Sequence, residues 1–216
     1  MKVEMISYSQ PDARFAENMT ELIAFCARVS NPSNQNNTYT SEKLLRYLIK
    51  NKHWSPFEMV SICLEIETTR DIARQILRHR SFSFQEFSQR YAIADLGFNI
   101  REARMQDTAN RQNSIQTDNI GLSLNWETQQ DYVLHAATKA YRWAIDNGIA
   151  KEQARAVLPE GITVSRMYMN GTLRSWLHYI ELRSANGTQK EHREVAVECA
   201  KVISKVFPMV MEFVEK

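Results

Sequence analysis

The run Arg78-His79-Arg80-Ser81-Phe82-Ser83-Phe84-Gln85-Glu86-Phe87-Ser88-Gln89-Arg90 packs three guanidinium groups, one imidazole and one carboxylate among hydroxyls and aromatic rings. Guanidinium forks match phosphate and carboxylate oxygens bidentately, and neighbouring phenylalanine rings offer flat surfaces for a heterocycle. The stretch therefore reads as an anion site. A lone Arg-x-Arg would read as a solvated helix end, but here Arg70, Arg74, Arg78, Arg80 and Arg90 fall within twenty-one residues of a chain whose formal charge is only +2. One dense cationic patch on a near-neutral chain fits a small anionic ligand better than a polyanion. Arginine outnumbers lysine 17 to 10, which favours geometry over bulk charge.

These groups need elements to hold them. Thr69 reads as an N-cap, with Asp71 in the first turn, for a helix running to about Arg80. On it Ile72, Ala73, Ile76 and Leu77 share one face, and Gln75, Arg78 and His79 lie on another. The chain then runs extended through Phe82 and Phe84, so a helix end and the following loop can converge on one pocket. The flanking arginines should keep His79 neutral. Amphipathic helices are expected over residues 18–29 and 42–51, and a half-buried strand over 59–67, where Val60, Ile62, Leu64 and Ile66 alternate with polar or small residues. A helix is expected from about Trp126 to Asp146, closed by Asn147-Gly148. Pro159 stops a helix that contains Arg155, Ile162, Val164 and Tyr168 mark a second strand, and Gly171-Thr172 opens a helix to Arg183. That helix carries an Arg174, His178, Glu181 stripe beside a core stripe of Leu173, Trp176, Leu177 and Ile180; Glu181 is read as structural. Pro208 separates two apolar helical stretches near the end. Residues 92–124 read as a long polar excursion, either mobile or ordered by a ligand or a neighbouring subunit.

The 216 residues are read as one domain, 1–216. No apolar run approaches the ~18 residues of a membrane span, and the Met1-Lys2-Val3-Glu4 start has no signal-peptide core. A cytoplasmic protein is expected, host-cytoplasmic if virally encoded, with no membrane partner. Cys26, Cys63 and Cys199 show no paired spacing, so neither zinc nor disulfides are expected. None of the six glycines forms G-x-G-x-x-G or G-x-x-x-x-G-K, which argues against a Rossmann fold or a P-loop.

Arg78-His79-Arg80 with seven residues before Ser88, then x-Arg90, resembles the signature of the flavin-dependent thymidylate synthases. Ser83 and Glu86 fit its longer form, while Gln85 stands where many members have Asn. Ala27-Arg28-Val29-Ser30, His53-Trp54-Ser55-Pro56-Phe57-Glu58, Ala154-Arg155-x-Val157-Leu158-Pro159 and Leu173 to Arg183 resemble further family segments in the family's order. The resemblance implies an α/β (α+β) fold, a mainly antiparallel central sheet flanked by helices with a helical C-terminal part, assembled as a homotetramer with shared sites. It implies reductive methylation of dUMP to dTMP with methylenetetrahydrofolate as carbon donor and NADPH-reduced FAD as hydride source.

By the same resemblance FAD falls to His53, Ser55, Glu58, Arg78, His79 and Arg80, and to Glu86, Thr172, Arg174, His178 and Gln189. The nucleotide dUMP falls to Gln75, Arg78, Glu86, Phe87 and Ser88, and to Gln89, Arg90, Arg155 and Arg183. Arg183 is expected to be catalytic, by stabilising negative charge on the pyrimidine. No metal is expected. Ser88 has no triad base near it in sequence and is assigned to binding. No cysteine looks like the activated thiolate of the other, cysteine-dependent class of thymidylate synthase. The competing class is a nucleic-acid-binding module stacking bases on Phe82, Phe84 and Phe87, which the +2 charge disfavours. A decayed homologue acting as a subunit is the third reading.

Overall fold

The structure is a computed structural model that describes residues 1–215. Its strands are β1 (Lys2–Tyr8), β2 (Ser61–Thr69), β3 (Ser83–Glu86), β4 (Arg104–Gln106), β5 (Ser114–Gln116) and β6 (Val164–Thr172). Its α-helices are α1 (Met19–Ala27), α2 (Ser41–Lys50), α3 (Arg70–Ile76), α4 (Ile120–Asp146), α5 (Lys151–Ala154), α6 (Leu173–Ser184) and α7 (Lys190–Ile203). Four strands form one sheet in the order β1-β2-β6-β3, antiparallel throughout, as expected for the fold class.

The sheet is two-sided because β2 and β6 alternate. Ile62, Leu64 and Ile66 are fully buried and lie opposite Gly171, Met169 and Met167, while Glu65 and Glu67 of the other face lie opposite Tyr168 and Arg166. Against the apolar face pack Ile72 and Ile76 of α3, Trp176, Leu177 and Ile180 of α6, and Val195, Cys199 and Ile203 of α7. The Trp176 indole N–H donates to the Ile62 carbonyl at 3.0 Å, so this large ring is buried without an orphaned donor. Both long central strands run straight into helices through a threonine. Thr172 accepts the Ser175 N–H as N-cap of α6, whereas Thr69 precedes α3 in extended conformation with its hydroxyl on Asp71 instead of a helix N–H.

Several expectations are corrected. Lys2–Tyr8, to which no element was assigned, form strand β1 ahead of the first expected helix. Helix α3 stops at Ile76, four residues short of Arg80. Residues 77–82 turn tightly, with His79 N–H on the Ile76 carbonyl and Phe82 N–H on the His79 carbonyl, because the chain must reverse to pair β3 with β6. Arg155 lies in a 3₁₀ turn, Arg155–Val157, after the single-turn α5. Helix α4 begins at Ile120, where Asn119 caps it by accepting the Leu122 N–H. The polar stretch 92–124 contains the β4/β5 hairpin and is tied to its own chain. Arg101 donates to Thr69, Asp71 and the Gly161 carbonyl, and Gln130 of α4 holds the Arg101 backbone through both its amide atoms.

Candidate functional site

The turn after α3 delivers His79 to the far end of α6 and α7. Arg183 Nε donates to His79 Nε2 at 2.9 Å, so that nitrogen is an acceptor and the ring proton sits on Nδ1. Burial first, then the charges of Arg183 and Arg78, pull the His79 pKa down to about 4. The ring is neutral as expected, but desolvation leads and Arg183 acts in place of Arg80. Its edge meets Tyr179, centroids 4.9 Å apart. Arg78, Arg80 and Arg183 make no ion pair among the described residues, and Arg78 and Arg80 are exposed. Their charges are not neutralised by any carboxylate among the described residues.

Behind this group lies a chain of polar contacts that sequence did not suggest. His192, fully buried on α7, places Nε2 3.2 Å from the Tyr179 hydroxyl and Nδ1 3.2 Å from Gln75 Oε1. Gln75 Nε2 donates to Gln189 Oε1 at 2.8 Å, and Gln189 Nε2 donates to Glu191 at 2.9 Å. Glu191 also accepts from Arg104 and lies 3.4 Å from Arg101. Gln189, expected on the flavin side, is therefore bonded to Gln75, expected on the nucleotide side. The missed signal was His192 within the apolar stripe Val195, Ala196, Cys199, since a buried imidazole must have partners.

A second group surrounds Glu86. Its carboxylate accepts from Ser165 Oγ at 2.8 Å and meets Arg74 at 3.3 Å and the buried Arg70 at 3.6 Å; both arginines also pair with Glu160. Further along, the Ser88 hydroxyl accepts the Arg90 N–H, and the Arg90 side chain pairs with Glu152, whose carbonyl accepts from Arg155. Phe87 N–H donates to the Arg166 carbonyl and Gln89 is buried. A third group is on the outer stripe of α6 and the Ser55–Glu58 turn. Arg174 pairs with Glu58, and the His178 ring stands edge-on to Trp54 at 4.6 Å. Burial and Arg174 lower the His178 pKa, with Glu181 opposing. His53 is exposed beside Tyr47, Ser55 is exposed, and the Thr172 hydroxyl is engaged as the α6 cap.

One chain thus yields three clusters and not the single converging pocket expected. The 78–80 turn and the Glu86-to-Arg90 segment share no hydrogen bond or ion pair among the described residues. A cavity of about 510 Å³ lies against α4, lined by Arg101, Arg104, Trp126, Pro159 and Gln189, with no residue of either segment in its wall.

Histidines held neutral make stability acid-sensitive. His79 and His192, at about 4 and about 3 in the folded chain, are depressed below the ordinary 6.5, so the unfolded chain binds protons first on acidification. Their contribution is complete above about pH 6.5 and falls away below it. A denaturant midpoint should drop between about pH 7 and pH 5; a flat midpoint would show that these rings are not kept neutral.

Comparison with known proteins follows the same chain from end to end. Residues 13–209 match the family described as thymidylate synthase complementing protein. A probable flavin-dependent thymidylate synthase of Paramecium bursaria Chlorella virus 1 is 47% identical over 210 residues, covering 97% of each chain. A flavin-dependent thymidylate synthase of Synechocystis sp. is 47% identical over 218 residues, covering 100% of each. The crystal structure of a UMP/dUMP methylase, PolB, from Streptomyces cacaoi bound with 5-Br UMP superposes with a TM-score of 0.83 at 25% identity, over 98% of this chain and 92% of that one.

Proposed function

We infer the reaction from one premise, that this chain belongs to the family of flavin-dependent thymidylate synthases. It is an enzyme, a flavoprotein methyltransferase of dTMP biosynthesis that methylates dUMP. In our reading the flavin is FAD, its reductant is NADPH and the carbon donor is methylenetetrahydrofolate. The observation that carries this is the set of guanidiniums left without carboxylates, Arg78 and Arg80 on the turn and Arg183 on the neutral His79 imidazole.

The donors fit the group. Arg78 and Arg80 suit its pyrophosphate, and His53 and His178 offer flat rings beside Tyr47 and Trp54, with Arg174 steadied by Glu58. His53, Ser55, Arg174 and His178, together with His79, Thr172, Glu86 and Gln189, would hold it. When bound, FAD supplies hydride-transfer chemistry. The protein's own residues bind, orient and hold charge. Gln75, Phe87, Ser88, Gln89, Arg90 and Arg155 would position dUMP, with Glu86 steadying Arg70 and Arg74 beside it. Uracil C5 is a poor nucleophile that improves when negative charge on the ring is stabilised, and Arg183 supplies a fixed cation for that charge. Ser88 has no histidine bonded to it among the described residues, so it binds and does not attack.

Purified protein saturated with FAD and passed through gel filtration should be yellow. A colourless protein that shifts single-stranded oligonucleotides with a steep salt dependence would overturn the reading in favour of a nucleic-acid module.

We also propose a homotetramer in the cytoplasm, a host's if a virus encodes the chain. No helix among the described residues is long and apolar enough to cross a membrane. Helix α4 leaves Ile120, Leu124, Tyr132, Val133 and Trp143 exposed, apolar surface spread around the helix that other copies of the chain could cover. Activity per protomer should fall on dilution together with the oligomer; sedimentation of a fully active monomer would remove the idea.

A further inference from the structure

We propose that Glu191 and His192 are positioning residues: the carboxylate at one end of the half-buried polar chain dictates the orientation of the Gln189 and Gln75 amides and the tautomer of His192, and so fixes how Gln75 meets its ligand. The proposal rests on the reading of Gln75 as a nucleotide contact.

Direction along the chain follows from donor and acceptor inventory alone. An ionised carboxylate only accepts. Burial opposes the charge on Glu191, yet bonds from Arg104, its own backbone N–H and Gln189, with the Arg101 charge, hold its carboxyl below the ordinary value. Gln189 must therefore turn its NH₂ to Glu191 and its carbonyl to Gln75. Gln75 must answer with its own NH₂, which leaves its carbonyl facing His192 Nδ1. That nitrogen must carry the proton, Nε2 must accept, and the Tyr179 hydroxyl must donate to it. Burial, reinforced by Arg183 and His79, keeps His192 neutral, so it never becomes a double donor that would release the constraint. Gln75 is thus left with one amide N–H and one carbonyl lone pair, each in a set place, for a ligand. A free glutamine could present either edge.

Replacement of Glu191 by glutamine makes the logic testable, because Arg101 and Arg104 still demand an acceptor from residue 191. The new NH₂ must then face Gln189, and every amide behind it reverses. In ¹⁵N-histidine NMR spectra of the FAD-loaded full-length enzyme, with the His192 signals assigned by their loss in His192→Gln, wild type should show Nδ1 protonated and Nε2 bare. Glu191→Gln should show the opposite tautomer, and its KM for dUMP should rise about tenfold with FAD content and melting temperature near wild type. His192→Gln, which can donate to Gln75 and accept from Tyr179, should keep KM within about twofold of wild type, whereas His192→Leu should not.

An Nε2-protonated wild type, or a tautomer unmoved in Glu191→Gln, overturns the proposal. So does a reversed tautomer with unchanged KM, and Gln75→Ala then separates the causes. If Gln75→Ala raises KM for dUMP, the positioning idea alone has failed; if it does not, the reading of Gln75 as a nucleotide contact has failed.

Discussion

Arg183→Gln should form thymidylate at least ~10-fold more slowly than wild type at saturating dUMP, with FAD bound and NADPH oxidation by the flavoprotein retained. A cation within ~4–6 Å favours the ionised form of a group by roughly 1–3 pKa units, equivalent to about 1.4–4 kcal/mol. That is about 10- to 10³-fold in rate if it acts in the chemical step. The structure makes Arg183 suited to the role in two ways. It makes no ion pair among the described residues, so its charge is not already neutralised by a carboxylate. Its Nε is anchored on an imidazole that cannot compete for the charge, because His79 stays neutral down to about pH 4. Lysine should rescue only in part, since it keeps the charge and loses the planar fork. Glutamine that gave the normal maximal rate and only a raised KM would make Arg183 a uniform binding contact.

The same residue shows how far sequence reached. The strand-then-helix units β2–α3 and β6–α6 were legible because their apolar residues switch from a period of two to a helical period at a threonine, a local pattern. Strand β1 was missed: Lys2–Tyr8 buries only Val3, so it carries too little alternation to stand out, and it is a strand because β2 offers an edge to pair with. The end of α3 was misplaced because local propensity favours continuation to Arg80, whereas pairing of Ser83 with Asn170 forces the chain to turn. Residue types and their spacing within one continuous segment are legible in a sequence, but contacts between distant segments are not. His192 with Gln75, 117 positions apart, and Glu86 with Ser165, 79 apart, are contacts that only packing creates. The 92–124 excursion looked unattached for the same reason; its anchor, Arg101, meets Asp71 and Gly161, which lie 30 and 60 positions away.

Gly171→Ala should destabilise the enzyme by about 1–3 kcal/mol through overpacking. For a chain of this size each kcal/mol corresponds to roughly 2–4 °C in melting temperature. Gly171 is buried on β6 opposite Ile62, and a Cβ there would lie 2.4 Å from Cδ1 and 2.6 Å from Cε1 of Phe82. Exchange of glycine for alanine in an extended strand otherwise favours folding by roughly 0.4–1 kcal/mol through the unfolded chain, so the steric term decides the sign. The Phe82 ring has little room to yield, being edge-on to Trp176 at 4.8 Å and to Tyr179 at 5.9 Å. What gives instead is the turn that carries it, two residues after Arg80, so FAD affinity should weaken along with stability. Combining Gly171→Ala with Phe82→Leu should recover part of both losses, because the smaller side chain vacates the space that the methyl group enters. Calorimetry and FAD titration of the two single variants and the double variant decide the matter: strictly additive losses, or an unchanged melting temperature in Gly171→Ala, would mean that the close approach of Phe82 does not hold the arginine turn in place.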